Sequence, residues 1–254
     1  MNDPYYADAQ YYDVVHAGFD ADVGLWLSHA GRTQRPVLEV GAGTGRIALE
    51  LARSGSDVVA VDPSPAMLSI AEKRGEDDAL SVEFREGTAT SLELERGQYG
   101  FVLVPLDVFL YHVDGEEQLS TLRALKGALH FSGQLAIDVP GPALWLDPTA
   151  NGQPLLVHAS ELEDGSRLDV WHVHEDDLAS QTRTLRVSYE RTREDGSVHR
   201  LQSVHELRYL YRFEMEYLLH LAGLTLLGVY GDYELGPLTN ESERMIFVAR
   251  GMDA

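Results

Sequence analysis

The sequence predicts an α/β fold: a doubly wound, mostly parallel seven-stranded sheet with an inserted antiparallel β-sheet. Three observations predict it. From residue 36 to about 139, short apolar runs rich in β-branched residues alternate with amphipathic stretches, the pattern of parallel strands covered by helices on both faces. Between residues 154 and 211 the pattern becomes period-two alternation broken by Asp164-Gly165 and Asp195-Gly196, pairs that favour tight hairpin turns. Where the first apolar run meets the first helical stretch stand Gly41, Gly43 and Gly45, which let a backbone turn sharply and approach a ligand.

The elements follow in order. Pro36 to Val40 (PVLEV) is the first strand, and Arg46 to Arg53 has helical spacing with Ile47, Leu49 and Leu51 on one side. Asp57 to Val61 (DVVAV) leads a second strand that ends in Asp62, and Pro65 to Arg74 is its helix. Leu80 to Phe84 and Gly100 to Val104 are two further strands, Glu116 to Leu129 a helix and Gln134 to Val139 a fifth strand. In the insertion, Leu168, Val170, His172 and His174 share one face, and Leu185, Val187 and Tyr189 line another strand. A helix from Arg212 to Ala222 stops at Gly223, and Leu224 to Tyr230 with Met245 to Ala249 close as an antiparallel pair. The 254 residues are expected to form one domain, 1–254, with 153–211 as the inserted sheet.

An apolar content of 44% with 24% charged residues is that of a globular chain rather than a disordered one. No apolar run approaches the roughly 18 residues of a spanning helix, so no membrane role is expected. Met1 to Asp13 is acidic and Tyr-rich, unlike a secretory signal. The chain has no cysteine, which excludes disulfides, thiolate metal sites and cysteine nucleophiles. The cytoplasm is the expected location. Twenty basic against 41 acidic residues leave a net charge of −21, which repels phosphate backbones and disfavours nucleic acid as a partner. That charge serves solubility, and it also draws in cations. Oligomeric state is left open.

Glu39-Val40-Gly41-Ala42-Gly43-Thr44-Gly45-Arg46 lies between the first strand and its helix, where free N–H groups attract a carboxylate or phosphate. Asp62 ends the second strand 21 residues past Gly41, where an acid can accept hydrogen bonds from both ribose hydroxyls of an adenosine. A dinucleotide fingerprint would carry glycine at position 46, which is Arg46 here. A smaller anion, such as the carboxylate of a methionyl group, suits that turn better.

VLEVGAGTGRIALELA followed by VVAVDPSPAMLSIAEKR resembles the first two motifs of class I S-adenosylmethionine-dependent methyltransferases. Tyr11-Tyr12-Asp13, LVPLDVFLYH, LLHLAGLTLLGVYGDY and SERMIFVAR resemble further segments of the small-molecule, N-methyltransferase-like branch, so the resemblance covers nearly the whole chain. It implies a Rossmann-like fold, S-adenosylmethionine as cofactor and a small-molecule acceptor whose cavity the insertion helps to form. Glu39, Gly41, Gly43 and Arg46 would then hold the methionine moiety, Asp62 the ribose and Met67 the adenine. Ala42, Pro63, Thr88, Ala89 and Leu106 would complete the cofactor set, Asp107 would join Leu106 beside the sulfonium, and Tyr12 would lie over it as a lid. Two departures stand out: Thr88 occupies the region where the family often has an acid for the adenine amine, and Tyr99-Gly100 replaces its usual Phe-Asp.

An amine acceptor is the first expectation. The alternatives are an O-methyltransferase with a histidine base and a non-catalytic S-adenosylmethionine-binding protein. His112, beyond the fourth strand, and Tyr12 are the candidate catalytic residues, His112 as a base where one is needed. Tyr111 shares the position of His112. His172 and His174 lack a third metal ligand at recognisable spacing, so no metal is expected. His205, Tyr209 and Tyr211 belong to the inserted sheet and are placed to line the acceptor cavity.

Overall fold

The computed structural model describes residues 5–141 and 150–251. Helices α1 (Tyr6–Val15) and α2 (Val23–Ala30) precede β1 (Val37–Val40), α3 (Arg46–Arg53), β2 (Val58–Asp62), α4 (Pro65–Asp77), β3 (Glu83–Glu86) and β4 (Tyr99–Val104). A 3-10 turn (Val108–Tyr111) leads to α5 (Gly115–Ala128) and β5 (Leu129–Pro140). The inserted strands are β6 (Leu155–Glu161), β7 (Arg167–Asp177), β8 (Thr182–Thr192) and β9 (Val198–Arg208), and the chain closes with α6 (Arg212–Leu221), β10 (Leu224–Tyr230) and β11 (Arg244–Gly251).

The main sheet has the order β10-β11-β5-β4-β1-β2-β3. Strands β1 to β5 run parallel, and β11 is antiparallel to both β5 and β10. Every residue of β1 and β2 is buried, because the strands are covered on both faces. Alternate side chains enter two cores. Leu38, Val40, Val59, Val61, Val102 and Val104 pack under α5 and α6, while Val37, Val58, Ala60, Phe101 and Leu103 pack under α2 and α3. The chain leaves β1 for β2 on one side and later returns to β4 on the other, so a topological switch point falls between β1 and β4.

The second sheet, β6-β7-β8-β9, is antiparallel throughout. Its Asp-Gly turns are where the sequence puts them, with Gly165 at φ +79° and Gly196 at φ +81°. Leu168, Val170, Val187 and Tyr189 on its inner face bury Ala7 and Tyr11 of α1. This sheet and α1 therefore form a third, smaller core beside the main one.

Helix starts follow the caps. Ser64 accepts from the Met67 N–H ahead of Pro65, and Asp114 accepts from the Glu117 N–H. Several expectations needed adjustment. The third strand runs over Glu83–Glu86 rather than Leu80–Phe84, because α4 continues to Asp77 and the Leu80 N–H closes back on the Gly75 carbonyl. The fifth strand begins earlier, at Leu129, directly from α5. Helix α2 and the 3-10 turn have no counterpart in the sequence expectations, although Leu25, Trp26, His29 and Ala30 of α2 do fall on one buried side. Among the described residues, no helix is long and apolar enough to cross a membrane.

Gly45 is the N-cap of α3 at φ +80°, and a Cβ there would lie 3.1 Å from the Ala71 Cβ of α4. The third glycine thus lets two helices pack. Gly45→Ala adds both a left-handed backbone penalty and an overpacked contact, and should destabilise the protein by about 1–3 kcal/mol. Urea denaturation should show a lower midpoint at constant slope.

Candidate active site

The loop after β1 and the turn after β4 meet at the switch point. Gly41 takes φ +79°, and a Cβ on it would stand 2.3 Å from Val108 Cγ2, so no side chain fits. The Gly41 and Ala42 N–H groups both donate to the Val61 carbonyl of β2. The Asp62 carboxylate fastens the next residues, accepting from Gly43 N–H at 2.8 Å and Ser64 N–H at 2.9 Å. Helix α1 is tied to the same loop: the Thr44 hydroxyl donates to Asp13 at 2.7 Å, and Arg74 donates to both Asp13 and the Thr44 carbonyl.

Glu39, the one acid in an otherwise apolar β1, is buried, and its Oε2 has no hydrogen-bond partner among the described residues. Burial pushes its pKa well above the usual carboxylate range, against the pull of Arg46. Arg46 itself is forked onto Asp22, with two 2.7 Å bonds, and lies over the Phe19 ring. Its terminal nitrogens are thereby committed, and Nε is left buried with no hydrogen-bond partner among the described residues. The charge of Arg46 is therefore largely balanced by Asp22, a residue the sequence reading did not single out.

A cavity of about 440 Å³ opens over this loop. Tyr12, Glu39, Gly41, Ala42, Gly43, Arg46, Asp62, Pro63, Met67, Thr88, Ala89, Leu106 and His112 all line it, so the structure brings every candidate cofactor and catalytic residue to one place. Tyr12 lies over Gly43, its ring 4.0 Å from where a Cβ would stand, and stacks on His16. The Thr88 hydroxyl accepts from the Ser91 N–H and so caps its own turn. His112 has its Nε2 3.2 Å from the Thr121 hydroxyl, and burial lowers its pKa, which keeps the ring neutral at pH 7.

A second cavity of about 350 Å³ adjoins the first, sharing Tyr5, Tyr12, Met67, Leu106 and Tyr111 as its throat. Its remaining wall comes from Asp8, His16 and Phe19 near the N-terminus, from Asp107, and from Leu185, Val187, Tyr189, His205 and Leu207 of the inserted sheet. Tyr209 and Tyr211, which the sequence places in this wall, are not among its lining residues. His172 and His174 lie on the inner face of β7, and no group of three potential metal-ligating side chains occurs among the described residues.

At the throat, Leu106 (φ +42°) and Asp107 (φ +68°) are consecutive left-handed residues, a strained arrangement for side-chain-bearing positions. Asp138 of β5 holds them, accepting from the Leu106 N–H at 3.2 Å while its carbonyl accepts from the Asp107 N–H. Arg244 bridges Asp138 and Asp107, and Tyr233 donates to Asp138 at 2.9 Å. Burial raises Asp138 to about 6, with Arg244 opposing the shift. Sequence reasoning named Asp107 but missed its partners Asp138 and Arg244, and it missed Asp8; the one signal for the network was an acid inside the apolar strand QLAIDV.

Residues 37–133 match the family described as a methyltransferase domain. The cypemycin N-terminal methyltransferase of a Streptomyces species is 27% identical, with 98% of each chain covered. The ubiquinone biosynthesis O-methyltransferase of Azorhizobium caulinodans is 33% identical over 106 residues, and this stretch spans 39% of the present chain and only 42% of that protein. The structure of the CcbJ methyltransferase from Streptomyces caelestis superposes with a TM-score of 0.78 at 24% identity, covering 92% of this chain and 90% of that one. The match over residues 37–133 marks a methyltransferase domain, the fold is shared with solved S-adenosylmethionine-dependent methyltransferases, and S-adenosylmethionine is the cofactor that these likenesses imply.

The residues present fit that group. Glu39 Oε2 and Arg46 Nε are a buried acceptor and donor without hydrogen-bond partners, matching the ammonium and carboxylate of a methionyl tail. The bare Gly41 lets the backbone come close, and Asp62 would hold the ribose beside Met67.

Asp62→Ala should weaken S-adenosylhomocysteine binding by about tenfold to hundredfold, the worth of hydrogen bonds to a charged group, with an unchanged circular dichroism spectrum. Calorimetry checks it. Because an ammonium favours the ionised Glu39, binding must expel the proton that the raised pKa retains. Affinity should therefore fall as pH is lowered through that pKa, with proton release visible in buffers of different ionisation enthalpy. Glu39→Gln should bind more weakly and lose the pH dependence.

Proposed function

We propose that the chain transfers the methyl group of S-adenosylmethionine to the nitrogen of a small-molecule amine. The observation that carries this reading is the second cavity, which adjoins the cofactor cavity and is closed by α1 and the inserted sheet. At about 350 Å³ it has the size of a small-molecule site rather than of a macromolecular groove. Among the described residues, the acids Asp8 and Asp107 line it, as do Tyr111, Tyr189 and His205, and no Lys or Arg does. That lining suits a cationic acceptor, as does the acidic surface. The inserted sheet, 153–211, acts here as a wall of the acceptor site within a single 1–254 domain.

When bound, the cofactor supplies a methyl carbon activated by a cationic sulfur. The protein's part is alignment and exclusion of water, which contribute up to about 7–11 kcal/mol in well-oriented systems. Tyr12 covers the junction of the two cavities, and its aromatic face attracts a neighbouring positive charge. The strained Leu106–Asp107 turn, braced by Asp138 and Arg244, fixes the approach from the acceptor side. An acceptor amine that has shed its proton would present its lone pair to that methyl carbon across the throat.

The relative whose chain is covered to 98% is named for methylation at an N-terminus, which supports an amine acceptor. The O-methyltransferase likeness covers 39% of the chain and speaks for the shared cofactor half rather than the acceptor. An O-methylating reading with His112 as base is less supported, because the His112 ring is hydrogen-bonded to Thr121 on α5.

A panel of amines and phenols assayed for S-adenosylhomocysteine release should show acceptor-dependent turnover with amines. Turnover with phenols alone overturns the amine assignment, and none with any acceptor favours a non-catalytic binder. His112→Ala should retain most of the wild-type rate with amines, and a loss of about a hundredfold would restore it as the base.

A further inference from the structure

On the wall of the acceptor cavity one carboxylate, one imidazole and three hydroxyls form a continuous hydrogen-bonded network. The Asp8 carboxylate is buried, and although burial opposes its charge, His205, Tyr189 and Ser203 hold its pKa below the ordinary range. An ionised carboxylate only accepts. The Tyr189 hydroxyl donates to Asp8 Oδ1 at 2.6 Å, and the Ser203 hydroxyl donates to the same oxygen at 2.8 Å. With its proton committed, Ser203 Oγ can only accept from His205 Nε2, 3.0 Å away. In the neutral ring the proton therefore sits on Nε2, and Nδ1 carries a bare lone pair. The Tyr111 hydroxyl lies 3.3 Å from Nδ1 and must donate to it. What Tyr111 offers the cavity is then only its oxygen lone pairs, so the site selects an acceptor that donates a hydrogen bond. Tyr5 stacks on His205 at 5.8 Å and meets Tyr111 edge-on, which holds both rings in place.

Resting on the amine reading of the function, we propose that Tyr111, His205 and Asp8 form a proton relay that deprotonates the acceptor. An alkyl ammonium keeps its proton at neutral pH, with a pKa of about 10 in the lysine case, and cannot attack until it loses it. The acceptor N–H bond breaks and its proton goes to Tyr111 Oη, while the Oη–H bond breaks and that proton goes to His205 Nδ1. The acceptor becomes a neutral amine, Tyr111 remains a phenol and His205 becomes an imidazolium. Asp8 stays ionised and stabilises the imidazolium from 3.4 Å, with Ser203 bridging the two. Tyr111 is the group that touches the acceptor, and His205 and Asp8 act through it. The titratable groups facing His205 are Asp8 and Tyr5 from the N-terminal segment, Tyr111 from the 3-10 turn, Tyr189 from β8 and His172 from β7.

Two measurements test this. In protein carrying ¹⁵N-histidine, with the His205 resonances assigned by their loss in His205→Gln, the relay requires the Nε2–H tautomer at neutral pH. An Nδ1–H tautomer or an imidazolium would overturn it, whatever the acceptor proves to be. In kinetics, with benzylamine and phenol as probes, Tyr111→Phe should lower kcat by about a hundredfold at neutral pH, with an unchanged KM for S-adenosylmethionine. With benzylamine the deficit should close above the amine's own pKa, where the free base enters and no proton need be removed. His205→Gln should show the same profile. A deficit that persists unchanged at high pH marks a structural role and overturns the relay. Turnover of phenol but not benzylamine defeats the amine reading alone, and the Tyr111→Phe deficit and the tautomer then decide the relay separately.

Discussion

The close approach of the first-strand loop to the turn after β4 governs how the rest of the site is arranged. At Gly41 the two segments come so near that a Cβ would overlap Val108, and this contact spans the switch point of the sheet. Because the loops interlock there, the cofactor cavity has a fixed floor. Everything else is fastened to that floor. Asp62 ties the loop to the turn after β2, Arg46 ties α3 to the start of α2 through Asp22, and Asp13 with Arg74 ties α1 to Thr44. The helix that carries Tyr12 is therefore positioned by the same loop that Tyr12 covers.

Buried charge tells the same story from the side of energetics. Removing a carboxylate from water costs several kcal/mol unless partners replace the lost hydration. Asp22 is satisfied by the Arg46 fork and the Trp26 indole, and Asp138 by Arg244 and Tyr233. Asp8 receives two hydroxyls on one oxygen, while its Oδ2 has no hydrogen bond among the described residues and faces His205 at 3.4 Å. Glu39 is open in the same way. Its neighbours leave one oxygen without a hydrogen bond in a fully buried position, at the place where a cationic ligand group would complete it. Acids completed by the protein brace the site, whereas Glu39 and Asp8, each with one oxygen left open, line the cofactor and acceptor cavities.

Those same interactions explain what could be seen in the sequence. The β1–loop–α3 unit and Asp62 lie close together along the chain, so periodicity, glycines and spacing were enough to place them on the strand, turn and helix where the structure has them. The inserted sheet was legible because its two Asp-Gly turns break a clean period-two pattern. Distance along the chain hid the rest. Asp8 meets Ser203 across 195 positions, and Arg244 meets Asp138 across 106, so no local pattern announces either pair. Helix α2 escaped because Val23, Leu25, Trp26 and Leu27 follow almost without interruption and leave no marked polar face, and with it went Asp22, the partner of Arg46. The third strand slipped because a helix end, set by a Gly75–Leu80 backbone bond, overrode the apolar run that suggested it.

The antiparallel last strand has a physical consequence for the site. In the parallel part of the sheet, the edge that carries ligands receives only the C-terminal ends of strands. Strand β11 runs the other way, so it begins at that edge, and its first residue, Arg244, pairs in register with Pro140 at the end of β5. A strand of the ordinary direction would have delivered its last residue there and left its first at the opposite edge. The reversal brings a guanidinium beside Asp138 and Asp107, where two carboxylates and a strained turn would otherwise lie unbalanced. With Arg244 in place, Leu106 and Asp107 can hold left-handed conformations that would cost about 1–3 kcal/mol each if left unsupported. The throat between cofactor and acceptor thus depends on the direction of a strand at the far end of the chain.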